Sequence, residues 1–317
     1  DAYAAGQETA AAFEKLFGKT VKEMEEGFFD HARIVAASLV SVSKGPAASP
    51  REIAEAFRKT PESPDAAANF AWLLARQKQY RKAKSLAMTV VEAVPGHRRA
   101  TLALLECLLG EEEHQQAVRL LETLTEEDRS DYEGQVMSCR VYLATGDYTR
   151  AQECVDRGRS DFPGQAFWER AGSIVALARN DWPAARESLV AYAAKEPDDA
   201  SCRARLAELL LEENDIDKAA EWAKQALRVD ARQAPMLRIV GRQAAKKGQF
   251  ARARAWYDDA IALKGDQPEW RVEYAEVLIA LKDPVQARRQ LEIVLSSEPE
   301  HARATELLAK LPPPAAN

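Results

Sequence analysis

The chain has 317 residues, of which 46% are hydrophobic and 30% charged, a balance that excludes wholesale disorder and a collagen-like fibre. A net charge of −6, from 44 Lys plus Arg against 50 Asp plus Glu, has the wrong sign for gripping nucleic acid by phosphate neutralisation, and no apolar run is long enough for a membrane-spanning helix. Only 14 Gly and 15 Pro stand among abundant Ala, Leu, Glu, Arg and Lys, which points to an all-α protein.

In chain order, residues 7–17 and 20–42 read as helices, with Thr20 and Glu23 spaced as a capping box for the second. Phe13, Leu16 and Phe17, and then Phe28 and Phe29, are expected to face a partner element. Residues 1–30 hold no basic start followed by an apolar run, so no signal peptide is read there; Asp1 in place of Met points to a processed or excised chain. Residues 1–46 thus form an expected N-terminal helical segment. A linker with Lys44-Gly45-Pro46 follows, and Ser49 is placed to cap a short helix over 51–59, which Pro61 and Pro64 end, so residues 47–63 read as linker and short helix.

From residue 64 the chain is periodic. Ala83, Ala117, Ala151, Ala185, Ala219, Ala253 and Ala287 recur every 34 residues without insertion. Three residues earlier stands a bulky residue in most units: Tyr80, Tyr148, Trp182, Ile216 and Phe250, with His114 and Pro284 as departures. Turn-forming pairs precede it, as in Gly146-Asp147, Asn180-Asp181, Asn214-Asp215, Gly248-Gln249 and Lys282-Asp283. Pro95, Pro163, Pro197 and Pro299 close units twelve residues after the alanine. Each unit is therefore helix, turn, helix, seven times over 64–301, and the alanine marks where two helices approach most closely. Residues 302–317 read as a capping helix, with Leu307, Leu308 and Leu311 on one side, and a Pro-rich tail.

This pattern resembles the tetratricopeptide repeat family across residues 64–301. The resemblance implies a right-handed superhelix of seven hairpins whose concave groove, lined by the first helices, takes a peptide or an extended protein segment. The first-helix pattern departs from the family's: where a large apolar residue, Leu and Gly are expected, the chain has Ala67-Phe70-Ala71, Gln135-Ser138-Cys139, Glu169-Gly172-Ser173 and Arg203-Leu206-Ala207. Residues 12–29 also resemble the closing helices of a gluzincin-type metallopeptidase domain found beside such repeats in some bacterial proteins. That implies an alternative role as the substrate-recruiting C-terminal region of a larger zinc peptidase, although no H-E-x-x-H is present and His31, His97, His114 and His301 are isolated.

Little in the sequence points to chemistry. No phosphate loop, dinucleotide fingerprint or nucleophile elbow occurs, and Glu111-Glu112-Glu113 and Asp258-Asp259 have no second convergent group. Cys107, Cys139, Cys154 and Cys202 form no C-x-x-C pair, and Cys139 stands where a small packing residue belongs. The expectation is a chain that is not an enzyme, with no cofactor and no metal. A chain this size with so few cysteines suits a reducing, cytoplasmic compartment, or a periplasmic or secreted one if an upstream signal was removed.

Repeat register places Trp72, Arg76, Arg140, Phe167, Arg170, Glu208, Arg238, Arg242, Lys246 and Glu276 on the groove side of successive first helices, with Glu106, Glu212 and Val272 beside them. Arg238, Arg242 and Lys246 fall on one helical stripe. Like charges there need neutralising, either by an internal acid such as Glu208, Glu212 or Glu276 or by an acidic peptide. Paired lysines and asparagines of the kind that grip carboxylate-terminated chaperone tails in the family are not reproduced. The expected partner is a protein or peptide, with oligomeric state left open.

Overall fold

A computed structural model describes residues 48–313. The helices expected over 7–17 and 20–42, and the 12–29 segment, lie outside the described residues. Within those residues all regular structure is helical: α1 (Pro50–Lys59), α2 (Pro64–Arg76), α3 (Tyr80–Ala93), α4 (Arg98–Gly110), α5 (His114–Leu121), α6 (Glu126–Ser130), α7 (Tyr132–Thr145), α8 (Tyr148–Asp161), α9 (Ala166–Ala178), α10 (Trp182–Lys195), α11 (Ala200–Glu212), α12 (Ile216–Val229), α13 (Ala234–Lys246), α14 (Phe250–Leu263), α15 (Pro268–Ala280), α16 (Pro284–Ser297) and α17 (Ala302–Lys310). The chain divides into two compact units between Asn180 and Asp181, in the turn from α9 to α10.

The 34-residue period has three physical roots. All seven register alanines have 0% exposure, because a larger side chain at that point would hold the paired helices apart. A left-handed residue stands at the end of every first helix, at Lys78, Glu112, Gly146, Asn180, Asn214, Gly248 and Lys282, and reverses the chain. Asp147, Asp181, Asp215 and Asp283 then accept a hydrogen bond from the backbone N–H three residues on, capping α8, α10, α12 and α16.

In the first unit α2 packs on α3 and α4, α7 packs on α8, and α9 packs on α7 and α8. Its core runs from Ala68, Val90 and Ala100 through Leu102, Leu105, Leu121, Met137 and Val141 to Val155 and Trp168. In the second unit α11 and α12, α13 and α14, and α15 and α16 pair, and α17 packs on α16 and α15. Leu291 and Val294 of α16 share a core with Ala304 and Leu307 of α17. At the N-terminal end, Ser49 and Glu52 complete a capping box on α1.

Two features depart from the regular pattern. The second helix of the second repeat stops at Leu121, eight residues long against fourteen for α3, and a separate five-residue helix, α6, follows it. The other departure concerns the position where the family places a large apolar residue, occupied here by Gln135, Glu169, Arg203 and Arg271 among others. These residues are buried or half-buried and tie down the end of the preceding second helix. Arg203, 8% exposed, donates to the carbonyls of Ala193, Glu196 and Asp199. Arg271 donates to Gly265 O, Gln135 to Ser130 O and Asp161, and Glu169 accepts from Arg159. A guanidinium or amide can replace an apolar anchor because the last carbonyls of a helix have no partner of their own.

Candidate functional site

The first helices carry the candidate residues, and the structure settles what each one touches. In the first unit, the half-buried Trp72 on α2 has two guanidinium groups over its ring, Arg76 at 5.8 Å and Arg99 at 5.5 Å. Arg99 on α4 also bonds Glu133 at 3.0 Å, so this aromatic site joins two successive repeats. Arg140 on α7 is engaged bidentately by Glu106 on α4, one contact being 3.0 Å and the other shorter. Glu106 is only 9% exposed, and the guanidinium is what lets a carboxylate sit there. On α9, Phe167 packs edge to face on the buried Trp168 at 4.9 Å. Arg170 is exposed and makes no ion pair among the described residues.

In the second unit, Arg238 on α13 donates to Glu273 on α15 at 2.9 and 2.7 Å and lies 5.6 Å over the Trp270 ring. Arg242 reaches the same carboxylate at 3.5 Å, and the Tyr257 hydroxyl donates to it at 3.1 Å. Burial works to lower the Arg238 pKa, but the hydrogen bond and charge of Glu273 outweigh it and the net shift is upward. Burial, then the charge of Glu273, push the Tyr257 phenol up as well. Glu208 pairs with Arg205 one turn away at 3.1 Å, and Glu276 with Arg303 of α17 at 2.8 Å. Lys246 is exposed with no ion pair among the described residues.

The acid that neutralises the basic stripe is therefore Glu273, not Glu208, Glu212 or Glu276. Val272, expected beside the groove, is 6% exposed and belongs to the core with Ala244 and Leu278. A rule links these pairs. Arg98 with Asp131, Arg99 with Glu133, Arg140 with Glu106 and Arg238 with Glu273 are separated by 33, 34, 34 and 35 residues, about one repeat. The charges form rungs between neighbouring first helices, and a spacing search at one repeat length would have found them.

Among the described residues no group of three or more side chains is arranged to hold a metal ion. The four cysteines are free thiols. Burial pushes Cys107 and Cys139 up to about 12 and Cys154 to about 11, which leaves them protonated and poorly nucleophilic at neutral pH.

A family model described as the tetratricopeptide repeat matches residues 108–169, 176–242 and 244–311, more than half of the chain. A comparison with curated protein sequences gives no significant match. Among solved structures, the C-terminal part of a repeat-containing protein from Cytophaga hutchinsonii aligns with a TM-score of 0.60 at 14% identity, over 76% of this chain and 99% of that one. YrrB, described as having an unusual peptide-binding site, aligns at 0.51 and 12% identity, over 61% and 96%. The Cut9–Hcn1 hetero-tetramer of APC/C aligns at 0.50 and 16% identity over 82% of this chain, which spans about half (51%) of the length matched there. At these identities the likeness is one of fold.

Proposed function

Because the chain belongs to the tetratricopeptide repeat family, we propose that it is a non-enzymatic scaffold that holds a peptide or an extended protein segment along its first helices. The observation that carries this reading is the pattern of committed and uncommitted cations on that face. Arg140 and Arg238 are spent on Glu106 and Glu273, whereas Arg170 and Lys246 have no acidic partner among the described residues, and Arg76 lies over an aromatic ring. Uncommitted guanidinium and ammonium groups beside Trp72 and Phe167 are the residue types that anchor partners. They favour a segment that offers carboxylates and apolar side chains in alternation. YrrB, with the same fold, is described as having a peptide-binding site, so this use of the scaffold is in keeping with the family.

The test is selection of peptides from a random display library on the folded protein, followed by titration of the best binders. Acid-containing peptides are expected, with about tenfold weaker binding to Lys246→Glu or Arg170→Glu. Both side chains are exposed, so neither change disturbs the Glu273 network. Arg238→Glu with Arg242→Glu reports on the stripe itself. Unchanged affinity in all three variants would refute the assignment of this face.

A further inference from the structure

Away from the first-helix ladder, a cavity of about 220 Å³ opens in the first unit where the chain leaves the regular repeat. That is several times the roughly 30 Å³ that one water occupies. It is walled by α6, α7 and α8, next to the point where α5 stops short. Three guanidinium groups line it, those of Arg129, Arg150 and Arg157. Two buried polar atoms at its wall have no hydrogen-bond partner, Arg129 Nε, a donor, and Gln135 Oε1, an acceptor.

The chemistry of these groups restricts the occupant. Gln135 is 3% exposed, and its amide nitrogen is spent on Ser130 O at 2.9 Å and Asp161 at 2.7 Å, so both acceptors fix the amide orientation. The carbonyl is then the end of the amide left to offer. Glu126 shows that the arginines converge on one carboxylate, since it accepts from Arg129 at 3.3 Å and Arg157 at 3.2 Å. That carboxylate is 70% exposed, hence a weakly held internal occupant. Arg150 is steadied over the Tyr142 ring at 5.5 Å. An anion alone would satisfy the arginines and leave Gln135 Oε1 unpaired, which is costly for a buried acceptor. A ligand with a carboxylate and an N–H on the adjacent carbon satisfies both.

We propose that the cavity formed by α6, α7 and α8 is a second binding site, separate from the first-helix face, for an N-acyl amino acid group: carboxylate on Arg129 and Arg157, amide N–H on Gln135. This group is found in a free acylated amino acid and in the last residue of a peptide. The site does not depend on the scaffold reading, because none of its residues belongs to the first-helix set.

The experiment is a titration of the full chain, followed by the NMR resonances of the Arg129 Nε–H and the Gln135 side-chain amide. The probes are N-acetylalanine, acetyl-alanyl-alanine, its C-terminal amide, and acetate. Saturable shifts with either acylated acid are expected, and the tighter of the two identifies the source. Arg157→Ala, at an exposed position, should weaken binding about tenfold, whereas Glu126→Gln should tighten it by removing the internal competitor. Equal binding of the amidated peptide or of acetate, no saturable shift, or weaker binding in Glu126→Gln would overturn the proposal. The Lys246→Glu variant should leave these shifts unchanged.

Discussion

Glu273 is the residue on which most first-helix electrostatics of the second unit converge, since it accepts from Arg238 and Tyr257 and lies within reach of Arg242. Arg238 and Glu273 are 22% and 23% exposed, too buried for water to replace a lost partner at no cost. Glu273→Ala should therefore destabilise the protein by about 1.5–3 kcal/mol, and Tyr257→Phe by about 1 kcal/mol, read as shifts in a urea unfolding midpoint. The buried thiols make a separate prediction. Cys107 and Cys139 have folded-state pKa values raised by burial to about 12 from an ordinary value of 9.0. Their contribution is fully present below pH 9 and declines as pH climbs toward the folded value, because the unfolded chain then releases protons that the folded chain holds. Cys107→Ala with Cys139→Ala should flatten the alkaline fall in stability, measured as unfolding midpoints at several pH values above 9.

At the scale of the element, the turns that end the first helices all use the left-handed conformation but fill it unequally. Gly146 adopts it freely at φ 73°, whereas Glu112 holds the same geometry at φ 60° with a side chain that clashes with its own backbone. Glu112→Gly should stabilise by about 0.5–1 kcal/mol, net of the extra freedom glycine has when unfolded, and thermal denaturation measures it. The helix that follows this turn is the short one. Neither proline nor glycine lies between His114 and Arg129, so nothing local announces the stop at Leu121. Thr125 does carry an N-cap signal: its side chain accepts from Asp128 N and starts α6. Gly134 at the start of α7 is required by close approach, because a Cβ there would lie 2.1 Å from Asp128 O.

Stacked repeats touch only their neighbours, so stability within each unit is expected to spread from repeat to repeat and not to be shared evenly. The end of the second unit is closed by α17, which covers Leu291 and Val294 with Ala304 and Leu307. Deleting residues 302–317 should speed amide hydrogen exchange in α15 and α16 while leaving α11 and α12 protected, as followed by mass spectrometry. Equal loss of protection in all four helices would mean that the unit unfolds as one cooperative body.

By itself the sequence determined the repeat, its length and its hairpin geometry. An alanine at 0% exposure in every unit, a turn residue in the left-handed conformation and an aspartate cap are local requirements, and local requirements leave residue types at fixed spacing. The first helices of 64–301, the helix ended by Pro61 and the terminal helix after His301 were legible for the same reason. Tertiary structure alone decided which charges are spent and which are available. Whether Arg238 meets Glu273 or Glu276 depends on how far one first helix is rotated against the next, and residues three apart on α15 point in nearly the same direction. In the same way, Arg203 and Gln135 stand where an apolar anchor was expected, and only the position of the preceding helix end shows that unpaired carbonyls hold them there. The cavity beside α6 arises from a helix that stops without a breaker, a choice set by packing and not by local propensity.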